Sequence, residues 1–156
     1  MRFVSLVRRT TVPIRAVGHA VLKVRNQQRS EEFYHGVLGL PIATRHETRP
    51  MTFFTLGQHH DFAIVAMGDD APLPDPKGVG LFHVAFNVGD SVDDLRAMKE
   101  RLESHGVEID GLVDHNVTNS IYFRDPDGNG LELFVDTSDA WKDDPSILTK
   151  AQPLTL

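Results

Sequence analysis

The chain contains no cysteine in 156 residues. That excludes disulfides, thiolate-held metals and a cysteine nucleophile. It also lacks any lysine- or arginine-rich block, and its formal net charge is −6, so neither nucleic acid nor an anionic membrane is expected as a partner. No apolar run approaches the roughly 20 residues that a membrane-spanning helix needs. The opening "MRFVSLVRRTTVPIR" has an arginine pair but no apolar stretch after it, so it is not read as a signal peptide. A cytoplasmic location is the resulting expectation.

What is present is ordinary in bulk and unusual in one residue type. Apolar content of 40% and charged content of 24% suit a soluble chain long enough for one domain with a sizeable core. There are eight histidines. Without thiolates, any metal site must be built from His, Asp and Glu, a set that suits iron, manganese or zinc.

The chain reads as one unit written twice. "GHAVLKV" from Gly18 and "FHVAFNV" from Phe82 are strand-like, each with a histidine second, so His19 and His83 occupy matching places. A helical pattern follows each. In "SEEFYHGVLGL", Ser30 is the expected N-cap, Phe33 and Val37 pair at i, i+4, and Gly39 is the stop. In "SVDDLRAMKERLESHG", Ser91 and Asp94 form a capping box, Val92, Leu95, Met98 and Leu102 a stripe, and Gly106 the end. Three strand-like runs close each half: "PIATRHE", "MTFFTLG" and "DFAIVAM", then "EIDGLVDH", "SIYFRDP" and "GLELFVD". The Pro-, Gly- and Asp-rich "GDDAPLPDPKGVG" links the halves.

The pattern predicts an α+β domain over residues 12–136, with βαβββ modules at about 12–68 and 80–136. The two would form one curved, cup-like mixed sheet with helices outside. Residues 1–11 and 137–156 are terminal extensions, and the Trp141 tail is expected to pack on the body or on a neighbouring subunit.

Glu132 is out of place in "GLELFVD". Leu131, Leu133 and Val135 share one face of the strand, while Glu132, Phe134 and Asp136 share the other. A carboxylate there faces water at an edge, pairs with a cation or holds a metal, because burying it alone costs too much. In "FHVAFNV" the bulky face is Phe82, Val84, Phe86 and Val88, which turns His83 toward the concavity with Ala85 and Asn87. His19, His83 and Glu132 then make a two-histidine, one-carboxylate triad that leaves coordination positions open.

"FYHGVLGL" and "YFRDPDGNGLEL", set in this strand–helix pattern, resemble the vicinal oxygen chelate superfamily of glyoxalase I, fosfomycin-resistance proteins and extradiol dioxygenases. The resemblance implies metal ligands on the first and last strands, which carries over to His19, His83 and Glu132. Glyoxalase I adds a fourth ligand where this chain has "DFAIVAM", with no Glu, Gln or His aligned to Glu132. Two stretches are most similar to one-domain type I extradiol ring-cleavage dioxygenases. One runs Val113, His115, Ile121-Tyr122, Asp125-Pro126, Gly128, Glu132; the other is "GQHHDFAIV".

That resemblance implies ring cleavage of a catecholic diol by dioxygen at Fe(II), with Mn(II) as the alternative metal. It casts His60 as acid/base, and His115 and Tyr122 as hydrogen-bond partners of the substrate oxygens. Other readings stay open at this point. They are a glyoxalase-like isomerase, a thiol transferase of the fosfomycin-resistance type, and a small-molecule-binding resistance protein. Tyr122 read alone is a core residue, and His115 a loop residue. His35, His46, His59 and His105 are taken as structural or surface side chains, and Asp125-Pro126-Asp127-Gly128 as a turn. A homo-oligomer is expected.

Overall fold

A computed structural model describes residues 14–156; the 1–11 extension and the first two residues of the first module lie outside it. The chain runs β1 (Ala20–Val24), α1 (Gln27–Glu31, continued by a π-helical stretch, Glu32–Val37), β2 (Ile42–Arg45), β3 (Met51–Phe54) and β4 (Phe62–Ala66). The second half repeats the order with β5 (Val84–Asn87), α2 (Val92–Ser104), β6 (Ile109–Asp114), β7 (Thr118–Arg124) and β8 (Gly130–Asp136). Both βαβββ modules and the α+β class are as expected.

The sheet differs from the expectation. Each module closes its own ladder, giving a four-stranded sheet in the order β1-β4-β3-β2 and a five-stranded one. In both modules the first strand pairs parallel with the last. The single cup-like sheet is therefore two sheets, joined through side chains. Phe33, Tyr34, Phe54 and Phe62 of the first module share one buried cluster with Phe86, Leu95, Leu102, Phe123 and Leu133 of the second. Phe62 and Phe86 stack edge to face with ring centroids 5.4 Å apart. Burying such large apolar side chains stabilises by about 1.5–3 kcal/mol each.

The Asp125–Asn129 turn fastens the modules as well, so it is more than a turn. Asp125 accepts from the Tyr34 hydroxyl at 2.8 Å, and Asp127 accepts from the Arg25 amide at 2.8 Å and pairs with Arg29. Asn129 reaches the Lys23 carbonyl at 3.2 Å.

Two further expectations are corrected. Asn26, not Ser30, caps α1, its side chain accepting from the Arg29 amide. Ser30 is buried inside the helix, which starts a turn earlier because Asn after an extended segment is as good a cap. Phe82 does not join the core. It precedes β5 and is 89% exposed, and its carbonyl passes so close to Gly130 that a Cβ there would stand 2.3 Å from it. By contrast, α2 has the Ser91–Asp94 capping box, and Gly106 follows its end with φ 70°.

The tail packs on the body. After two 3-10 turns, β9 (Gln152–Pro153) pairs with the edge of β6, while Leu154 and Leu156 lie against the core. Trp141 stays 43% exposed. Among the described residues no helix is long and apolar enough to cross a membrane.

Candidate functional site

Cross-strand register sorts the second sheet into two faces. Val84, Leu131 and Phe123 align, as do Phe86, Leu133, Ile121 and Leu112, and these rows meet the core. The alternate rows place Ala85, Glu132, Tyr122 and Gly111 side by side on the other face. Glu132 is 8% exposed; it does not face water.

Its partner is His83, whose Nε2 lies 3.0 Å from Glu132 Oε2. The other ring nitrogen, Nδ1, is buried with no hydrogen-bond partner. With Nδ1 unpartnered, Nε2 is the ring nitrogen placed to donate to Glu132. The same spacing fits metal ligation: two donors at right angles about 2.1 Å from one ion stand about 3 Å apart. The imidazole and carboxylate thus suit a divalent cation, as two donors of a set.

Tyr122 stands beside this pair, its ring 5.6 Å from that of His83. Burial pushes its phenol up to about 12, with the charge of Glu132 and a hydrogen bond to it adding to the rise. The phenol is neutral at pH 7. His115 Nε2 lies 2.8 Å from the Tyr122 hydroxyl, so Tyr122 is tied to a titratable loop histidine and is not a core residue. A cavity of about 390 Å³ opens against His83 and Tyr122, with Leu81, Phe82, Phe123 and Arg124 also in its wall. Arg124 is held there by Asp110 at 3.0 Å.

The structure does not bring the remaining expected residues to this place. His19 precedes β1 and is exposed; His60 precedes β4. Their rings lie 4.2 Å apart at one end of the first sheet. Among the described residues no three His, Asp or Glu side chains converge to hold a metal. The expected triad is therefore not assembled within one chain. Each module keeps its own ladder, and His19 stays with the sheet it begins.

His59, read as a surface residue, stands in this second group, its Nδ1 2.7 Å from His60 Nδ1. The adjacent pair gave no sequence signal beyond its adjacency. Desolvation, then the neighbouring imidazoles of His19 and His59, hold His60 below the usual histidine value against the opposing pull of Asp61. His35, His46 and His105 do have local structural partners: the Leu40 carbonyl, the Thr48 and Arg49 amides, and the Arg101 carbonyl.

Residues 16–133 match the Glyoxalase/Bleomycin resistance protein/Dioxygenase superfamily. The chain is 34% identical over 125 residues to biphenyl-2,3-diol 1,2-dioxygenase 3 of Rhodococcus globerulus, covering 77% of this chain and 63% of that protein. The chain thus spans less than two thirds of that relative. It is 32% identical over 123 residues to the glutathione transferase FosA of Serratia marcescens, covering 78% of this chain and 82% of that one. A glyoxylase/bleomycin resistance protein/dioxygenase domain from Frankia sp. EAN1pec superimposes with a TM-score of 0.67 at 25% identity, over 80% of this chain and all of that one.

Proposed function

Because the chain belongs to the glyoxalase/bleomycin resistance protein/dioxygenase superfamily, we propose that it is a metal-dependent enzyme that cleaves the ring of a catecholic diol beside its hydroxyls with dioxygen. The observation that carries this reading is the run His115–Tyr122–Glu132–His83, a proton-handling pair set against two metal donors. The reaction consumes the diol and one O2 and leaves both oxygen atoms in the ring-opened product. Electrons come from the broken ring bond, so no external reductant is needed.

His83 and Glu132 are two of the three donors, and His19 of a second copy of the chain is the third. Two incomplete groups, each bordered by uncovered apolar side chains, support a symmetric dimer. Val17 is 93% exposed beside His19 and Phe82 is 89% exposed beside His83. A two-fold contact that brings one group to the other does so twice, completing two sites. His60 travels with His19.

A bound Fe(II) supplies a redox-active Lewis acid with open positions. The protein side chains do the rest. Tyr122, neutral in the ground state, takes a proton from a diol hydroxyl while passing its own to His115 Nε2, so no phenolate persists. His60, held mostly unprotonated at neutral pH, arrives from the other side as the base that later returns a proton. The cavity beside Tyr122 and Phe82 receives a ring substituent, in keeping with the biphenyl diol named for the Rhodococcus relative.

The test is oxygen uptake by anaerobically Fe(II)-loaded protein given catechol and 2,3-dihydroxybiphenyl. One O2 per diol with a yellow ring-opened product is the expected result. A second reading, an oxygen-independent thiol transferase, is favoured by the chain's 82% coverage of FosA. Iron bound without uptake of oxygen would turn the assignment to it.

A further inference from the structure

His115 sits in the turn between β6 and β7, and β9 makes its side-chain and paired backbone contacts around that turn. Asp114 pairs with Gln152 across the β6–β9 edge. The Gln152 side-chain amide donates to Asp114 Oδ2 at 2.8 Å, and the other carboxylate oxygen accepts from the Asn116 amide at 2.7 Å. Asn116 adopts φ 66°, a left-handed conformation that asparagine tolerates better than most residues. Its side chain then donates to the Lys150 carbonyl at 3.2 Å. Between these two anchored residues, the His115 amide donates to the Thr118 carbonyl at 2.8 Å and its ring reaches Tyr122.

The hairpin does not need the tail in order to close. β6 and β7 pair from Ile109↔Phe123 to Asp114↔Asn119 on their own. The tail adds a fixed direction for the residue at the tip, on either side of which its two side-chain hydrogen bonds fall. The far side of the turn is held by buried Val117, whose carbonyl accepts from the Thr137 amide at 2.8 Å; the tail holds the near side at Asp114 and Asn116, and small displacements matter where a proton must pass over one hydrogen bond.

We infer that the C-terminal segment 150–153 positions His115, with Gln152 and Asn116 as positioning residues that hold its imidazole on the Tyr122 hydroxyl. The consequence for turnover rests on the ring-cleavage reading; the placement of His115 does not. The segment has no direct contact with the diol site, and its effect passes through Asp114 and the turn.

Three variants of the full chain test this. Gln152→Ala removes the donor, Gln152→Glu opposes two carboxylates, and Gln152→Lys restores a donor to Asp114. The first readout is the 15N imidazole spectrum of metal-free protein, with His115 assigned by its loss in His115→Gln. Gln152→Glu is expected to move the His115 signal toward that of a free imidazole, Gln152→Ala to move it less, and Gln152→Lys to return it. The second readout is steady-state turnover, where Gln152→Glu should lower kcat roughly tenfold with KM little changed. An unmoved His115 signal in folded Gln152→Glu would overturn the inference. So would equal shifts in all three variants, which would mean that β9 only packs the edge. Absence of turnover in the unaltered chain would overturn the ring-cleavage reading instead, leaving the imidazole signal to decide the placement.

Discussion

Tyr122 is a phenol raised by burial and by Glu132, and under the ring-cleavage proposal it would work at neutral pH by exchanging protons with His115, 2.8 Å away. Replacing Tyr122 with Phe removes that exchange without removing a metal donor. We expect kcat to fall about 100-fold with metal content unchanged, measured by turnover and by elemental analysis of the same samples. His60→Phe should behave similarly, since His60 is not in the donor set. Loss of metal from either variant would show that the residue is a ligand and not a proton carrier. Glu132→Ala, in contrast, leaves His83 without its partner and should abolish metal retention on dialysis. These chemical types were legible in the sequence: a charge in an apolar strand and a Tyr next to a patterned turn. His59 was not, because its role comes from contact with His60 at 2.7 Å and not from spacing.

At the scale of elements, the β7–β8 turn is the joint between modules. Asp125 is 5% exposed and accepts from the Tyr34 hydroxyl, the Asp127 and Asn129 amides and the Asn129 side chain. Asp125→Ala would leave the Tyr34 hydroxyl buried without an acceptor and should cost about 3 kcal/mol, read as a lower midpoint in urea unfolding. A contact inside the first module, between α1 and the strands β2 and β3, is sensitive to acid. Glu31 lies below the usual glutamate value chiefly through hydrogen bonds from Arg45, against the cost of burial, with help from Thr52 and Gln27. A carboxyl depressed in the folded state stabilises above its unfolded value and loses that contribution as pH falls through the folded value. Stability should therefore drop on acidification from about pH 5 downward, and Glu31→Gln should flatten that limb in urea titrations at stepped pH. The sequence shows helix α2 with its cap because every signal there is local. It misplaces the start of α1, since Asn26 and Ser30 are equally good caps and burial of Ser30 decides between them.

At the scale of the molecule, the repeat was legible and its closure was not. The pattern that marks β1 and β5 as equivalent is silent on whether they share a sheet. That choice is made by the core, where Phe62 meets Phe86 and Tyr34 meets Asp125, and it leaves His19 apart from His83 and Glu132. The decisive measurement is complementation between His19→Ala and Glu132→Ala chains, read as Fe(II) retained after dialysis. Each variant alone should retain none. Mixed after reversible dissociation, half of the dimers pair unlike chains, and each of these has one site with all three donors, so about a quarter of the full metal content should return. If the mixture retains no more iron than its parents, the site is not shared between two chains, and the account of how His19, His83 and Glu132 meet is wrong.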